Sequence, residues 1–139
     1  MDIIRGGPSG LIFLANDGSQ SFTANTFYGY QRIDTVYPLA VADLDHDGDY
    51  DVISAIDDQD KLLYHRNDAL PITFESGEIK SGGDVDAVND IKLADMDGDG
   101  DLDIVTANFN QGLSIFKQGS ITSWTMDGFN PADRSAQLT

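Results

Sequence analysis

The chain repeats itself at an offset of 52 residues. "LAVADLDHDGDYDVISA" (39–55) lies over "IKLADMDGDGDLDIVTA" (91–107), and the register continues outward on both sides. "DKLLYHRND" (60–68) falls over "GLSIFKQGS" (112–120), with "GLIFLANDG" (10–18) in the same frame. "SFT" (21–23), "TFE" (73–75) and "SWT" (123–125) recur as an aromatic between short polar or acidic residues. "DIIRG" (2–6) matches "DVISA" (51–55) and "DIVTA" (103–107). A unit of about fifty residues, present roughly two and three-quarter times, predicts a solenoid or a propeller. The units run over 2–42, which lacks an acidic loop, 43–94 and 95–139, within one domain.

The apolar runs inside each unit last four to seven residues. They are rich in β-branched and aromatic residues and are separated by Gly, Asn, Asp or Pro, which is strand patterning. No i, i+3, i+4, i+7 pattern is sustained, so no helix is predicted. Strands are expected at 2–6, 10–15, 21–25, 37–42, 51–55, 61–66, 72–75, 90–94, 103–107, 112–117 and 122–126, with a weaker one at 134–138. Four strands per unit of this length predict an all-β fold of β-propeller blades, each of four antiparallel strands, about three to a chain.

Ten of the 24 acidic residues sit in two short segments, "DLDHDGDYD" (43–51) and "DMDGDGDLD" (95–103), in a chain of net charge −16. So dense a cluster of carboxylates opposes folding unless a cation offsets it. The spacing D-x-D-x-D-G-x-x-D supplies the means. Side chains at loop positions 1, 3 and 5 converge when the chain curls, and glycine at position 6 permits the turn. The candidate ligands are Asp43, Asp45, Asp47, Asp49 (through its carbonyl) and Asp51 in the first loop. In the second they are Asp95, Asp97, Asp99, Asp101 (carbonyl) and Asp103. Hard oxygen donors in this number favour Ca²⁺, one per loop, over zinc, copper or magnesium. Leu44 and Met96, the apolar second positions, are expected to pin the loops to the core, and chelation is expected to lower the melting temperature by several degrees.

"ADMDGDGDLDIVTAN" and "LANDGSQSFT" resemble the FG-GAP/VCBS repeat, the calcium-binding blade of integrin α-subunit propellers, some fungal lectins and many bacterial surface proteins. The resemblance implies that each acidic loop joins the innermost strand of a blade to the second, and that its aspartates hold Ca²⁺. The Gly-Ala-Pro tripeptide of the integrin type is absent, with Ser54-Ala55 and Thr106-Ala107 near that place, so integrin-like ligand binding does not transfer. Asp2 aligns with Asp51 and Asp103, the last position of a loop. The first unit therefore lacks an innermost strand; propellers typically use four to eight blades, and fewer than three cannot close. The chain is expected to be completed by another copy, as a head-to-tail six-bladed dimer or a polymer, or to be part of a longer propeller.

The acidic balance argues against nucleic acid as a partner, since phosphate binding needs clustered Lys and Arg. No apolar run is long enough to insert in a membrane. No cysteine is present to act as nucleophile, thiolate ligand or disulfide. His46 and His65 stand in no catalytic pattern, so an enzyme is not expected. The expected role is a calcium-binding module, secreted or on the cell surface, that acts in adhesion, recognition or assembly. The alternatives are a lectin and an architectural subunit of an extracellular filament. Phe27, Tyr28, Tyr30, Tyr37 and Phe109, in or beside predicted loops, are the candidate contacts for a glycan or protein ligand, whereas Trp124, Phe22 and Phe74 recur with the repeat and are expected to pack.

Overall fold

The structure, a computed structural model, describes residues 1–8, 10–29, 36–56, 59–68, 73–109 and 112–127, and of residues 36 and 37 the backbone alone. Among them run eleven strands in three antiparallel meanders. β1 (Ile3–Gly7), β2 (Gly10–Asn16) and β3 (Phe22–Gly29) form a three-stranded sheet. β4 (Val36–Ala42), β5 (Asp51–Ile56), β6 (Lys61–Asn67) and β7 (Phe74–Ser81) form the second sheet. β8 (Val88–Ala94), β9 (Asp103–Asn108), β10 (Gly112–Ser120) and β11 (Ser123–Asp127) form the third. A 3₁₀ turn at Gly83–Val85 leads into β8, and no α-helix occurs among the described residues. The sequence-predicted strand at 134–138 lies outside them.

β5 shows why the sheets stack. Each of its six residues is buried, because alternate side chains serve opposite faces. Val52 points toward the first sheet, where it meets Leu11 with Ile4, Phe27, Tyr28, Leu39 and Phe74 around it. Ile53 and Ala55 point toward the third sheet, into the larger core with Leu62, Ile104 and Phe116. A strand buried on both faces reads as a continuous apolar run rather than an alternating one, and "VISAI" does so. The first strands of the sheets lie side by side, with β4 packed against β8 and β1 against β4.

Two strands end four or more residues beyond where the sequence patterning placed them. β3 continues to Gly29, and β7 continues to Ser81 through "SGEIKS", whose polar residues gave no strand signal. Both are edge strands of their sheets, so half their surface faces water and polarity carries no penalty there. Gly77 in β7 is required by packing, since a Cβ there would run into the Tyr64 ring on the neighbouring β6.

Candidate metal centre

Each acidic loop joins the first strand of a four-stranded sheet to the second, 43–50 between β4 and β5 and 95–102 between β8 and β9. The bends are enforced by backbone in the left-handed region. Gly48 and Gly100, at loop position 6, have φ of 97° and 100°. Position 4 is left-handed as well, with Gly98 at 82° and His46 at 61°. Glycine adopts this region without strain, and histidine is among the few other residues enriched there.

Within the first loop Asp43, Asp45 and Asp51 bring one carboxylate oxygen each within 4.8 Å of one another. In the second, Asp95, Asp97 and Asp99 do the same. Asp47, Asp49, Asp101 and Asp103 stand outside these two groups. The environments differ. Asp51 is buried and Asp43 and Asp45 are half-buried, whereas Asp95, Asp97 and Asp99 are exposed. In the second loop Asp95 accepts hydrogen bonds from the Gly98 and Gly100 N–H groups (2.6 and 3.1 Å), and Asp99 accepts one from Asp101 (2.9 Å).

The first loop fits a cation on an observation independent of its sequence. Asp43 Oδ1 and Asp45 Oδ1 are buried with no hydrogen-bond partner among the described residues. Bare buried carboxylate oxygens are costly, and they cluster where a positive charge would offset them. Arg66 offsets Asp45 only weakly, because its guanidinium is engaged by Asp68 and Glu75. Burial, together with the neighbouring Asp47, pushes the Asp45 carboxyl above its ordinary range. Burial likewise drives Asp51 up to about 6, against the lowering effect of two backbone hydrogen bonds.

Those two bonds define a motif that sequence reading missed. Asp51 accepts from the N–H of Leu44 at Oδ2 and of Asn67 at Oδ1, both at 2.9 Å. Asp103 accepts in the same way from Met96 (2.8 Å) and Gln118 (2.9 Å). The ninth aspartate thus staples its loop's second residue to the third strand of its own sheet. Asp2 keeps half of the device in the first sheet, accepting from the Asn16 N–H at 2.9 Å. A recurring Asp at the start of each second strand was the available signal, and it was read as a metal ligand only.

Leu44 is buried as expected, but Met96 is half exposed. The aromatic candidates divide. Phe27 and Tyr28 lie in β3, not in a loop, and face inward. Phe27 stacks on Phe74 (3.9 Å between centroids), and Phe27 and Tyr28 each make an edge contact with the His65 ring, at 5.7 and 4.8 Å. This corrects their placement in or beside a loop, because β3 extends past the predicted end at residue 25 and carries them into the inter-sheet core. Phe109 is 78% exposed in the turn after β9. Tyr30 and the Tyr37 side chain lie outside the described residues. Phe74 and Trp124 pack as expected, but Phe22 is 43% exposed. His65 itself is fully buried, between Ser54 Oγ (2.8 Å) and Ser76 Oγ (2.6 Å). Among the described residues its ring nitrogens meet only these two hydroxyls, so the arrangement pins β6 between β5 and β7 inside the core. A cavity of about 960 Å³ opens between the first two sheets beside the first loop, lined by Asp2, Ile4, Phe13, Asp49, Tyr50 and Asn67 among others.

Three meandering antiparallel sheets, two of them with the first hairpin closed by an aspartate loop with a glycine bend, define an all-β repeat protein. Residues 43–106, from the first loop into β9, match the family model of the FG-GAP-like repeat, so this part of the chain carries an FG-GAP-like repeat. No curated protein and no solved structure matches the chain.

Proposed function

We propose that the chain is a calcium-stiffened β-propeller module that works outside the cell in adhesion, recognition or assembly. The observation that carries the calcium reading is the pair of buried, unpartnered oxygens on Asp43 and Asp45 beside the buried Asp51. Asp43, Asp45 and Asp51 would hold one ion, with Asp47 and the Asp49 carbonyl as further ligands. Asp95, Asp97 and Asp99 would hold the second, with the Asp101 carbonyl and Asp103. A bound Ca²⁺ supplies positive charge to the loop and ties the ends of two strands together. The chain's own residues do the rest. The glycines at positions 6 set the bend, and Asp51 and Asp103 staple each loop to its sheet through backbone amides. No enzymatic activity is proposed.

An assembly role is supported by the first sheet. β5 and β9 are hydrogen-bonded on both sides, while β1 pairs with β2 alone among the described residues. Its other edge is the place for one more strand, from a further copy or from further blades of a longer propeller. No helix among the described residues is long and apolar enough to cross a membrane.

The test is thermal unfolding in calcium and in EDTA. A site saturated a hundredfold above its Kd contributes about 2.7 kcal/mol, which for a chain of this size shifts the melting temperature by roughly 10 °C. An identical melt in both buffers overturns the calcium reading. A glycan array run in calcium then separates the lectin alternative, which predicts a specific sugar hit, from protein adhesion or assembly, which predicts none.

A further inference from the structure

Gln118 stands where the two loops meet. Its backbone N–H is held by Asp103, whose other oxygen holds Met96, the residue between Asp95 and Asp97. Its side chain reaches into the neighbouring sheet, where Nε2 donates to the Leu44 carbonyl at 2.6 Å. Leu44 lies between Asp43 and Asp45 and is buried, and its own N–H is held by Asp51. The Leu44 backbone is therefore gripped from both sides, by its own sheet through Asp51 and by the third sheet through Gln118. Its orientation decides where the flanking carboxylates point.

We propose that Gln118 couples the two cation loops, so that filling one raises the affinity of the other. The proposal rests on the calcium reading above. The path runs from Met96 to Asp103, to Gln118, to Leu44, in hydrogen bonds of 2.6–2.9 Å. Gln118 and Asp103 are buried, which keeps these bonds strong and their geometry narrow. Ordering the second loop fixes Asp103, and with it Gln118 and the Leu44 carbonyl. The first loop then loses less conformational entropy when it closes on its own ion. Repulsion between two divalent ions opposes this, but the loops' ten aspartates and the surrounding salt screen it. A second link, His46 Nε2 to Asp101 Oδ1 at 3.2 Å, is exposed and so contributes little. Gln118 is a positioning residue that need touch neither ion.

Isothermal titration with CaCl₂ tests this in four proteins: the wild type, Asp97→Asn/Asp99→Asn to disable the second loop, Gln118→Met, and the combination. With Gln118 present, disabling the second loop weakens calcium at the first by about fivefold or more, the usual range of a coupling between sites. With Gln118→Met that factor falls below about twofold. A merely structural glutamine would lower stability or both affinities without changing this ratio, which would overturn the proposal. If Gln118→Met fails to fold, Gln118→Leu removes the donor with a smaller side chain. The reciprocal measurement needs no change at Gln118. Asp43→Asn/Asp45→Asn must weaken the second loop by the same factor. Two ions bound independently in the wild type refute the coupling and leave the calcium reading intact, whereas no calcium uptake at all refutes both.

Discussion

The buried His65 makes a quantitative prediction about pH. It is fully enclosed, with a serine hydroxyl on each ring nitrogen and the rings of Phe27 and Tyr28 against its faces. Burial lowers its pKa from 6.5 to about 4. Between these values the unfolded chain takes up a proton that the folded chain refuses, so stability falls as pH drops from 6.5 toward 4. Linkage gives a loss of about 2 kcal/mol between pH 7.5 and pH 5. Asp51 acts in the opposite direction in the metal-free protein. Its folded pKa of about 6 lies above 3.8, so the stability it gains on protonation is present at low pH and lost as pH rises through 6. That gain amounts to about 1.4 kcal/mol at pH 5, so it offsets most of the histidine's effect and leaves a net loss of about 0.6 kcal/mol in the wild type. The histidine is isolated by comparison with His65→Gln, which keeps a group able to meet both serines and has no titration in this range. Urea unfolding at pH 7.5 and 5.0, in EDTA, should give a pH-dependent loss in the wild type larger than in His65→Gln by about 2 kcal/mol. Equal pH dependence in the two proteins would refute the claim that His65 is held neutral in the core.

Other substitutions test the packing and the staples, all by urea unfolding in EDTA. Gly77→Ala should cost about 1–3 kcal/mol, because the new methyl collides with the Tyr64 ring, and Tyr64→Leu in the same chain should recover part of that loss. Asp103→Ala leaves the Met96 and Gln118 N–H groups without their acceptor and should cost about 2–5 kcal/mol, whereas Asp2→Ala removes one exposed hydrogen bond and should cost less than about 1 kcal/mol.

The repeat and most of the strands were legible in the sequence because both are local signals. The β-branched run at Val52 and Ile53 announces the strand, although its burial on both faces shows only in the packed sheets. The glycines at 48 and 100 announce the bends, since few other residues adopt their φ. His46 hides the same requirement, because a histidine in the left-handed region leaves no mark that sets it apart from a histidine elsewhere. "SGEIKS" hides a strand for a different reason. Its pairing with β6 is made by backbone groups, which every sequence possesses, and Ile79 is its one large apolar side chain turned to the core. Phe27 and Tyr28 were misplaced because they have no counterpart in the other units, and uniqueness looks like surface specialisation when the outer end of a strand is not visible. The Gln118–Leu44 contact spans 74 residues of sequence, beyond any local pattern. The double hydrogen bonding of Asp51 and Asp103 was likewise beyond reach, because a carboxylate that accepts from two amides and one that holds a metal are spelled with the same letter.

We propose that both acidic loops are cation cages. Calorimetric titration of the metal-free chain with CaCl₂ measures it most directly. Two ions per chain are predicted, one of them lost in Asp43→Asn/Asp45→Asn and the other in Asp97→Asn/Asp99→Asn, with Mg²⁺ binding much more weakly. No uptake at millimolar calcium, or uptake unaffected by either pair of substitutions, would contradict it.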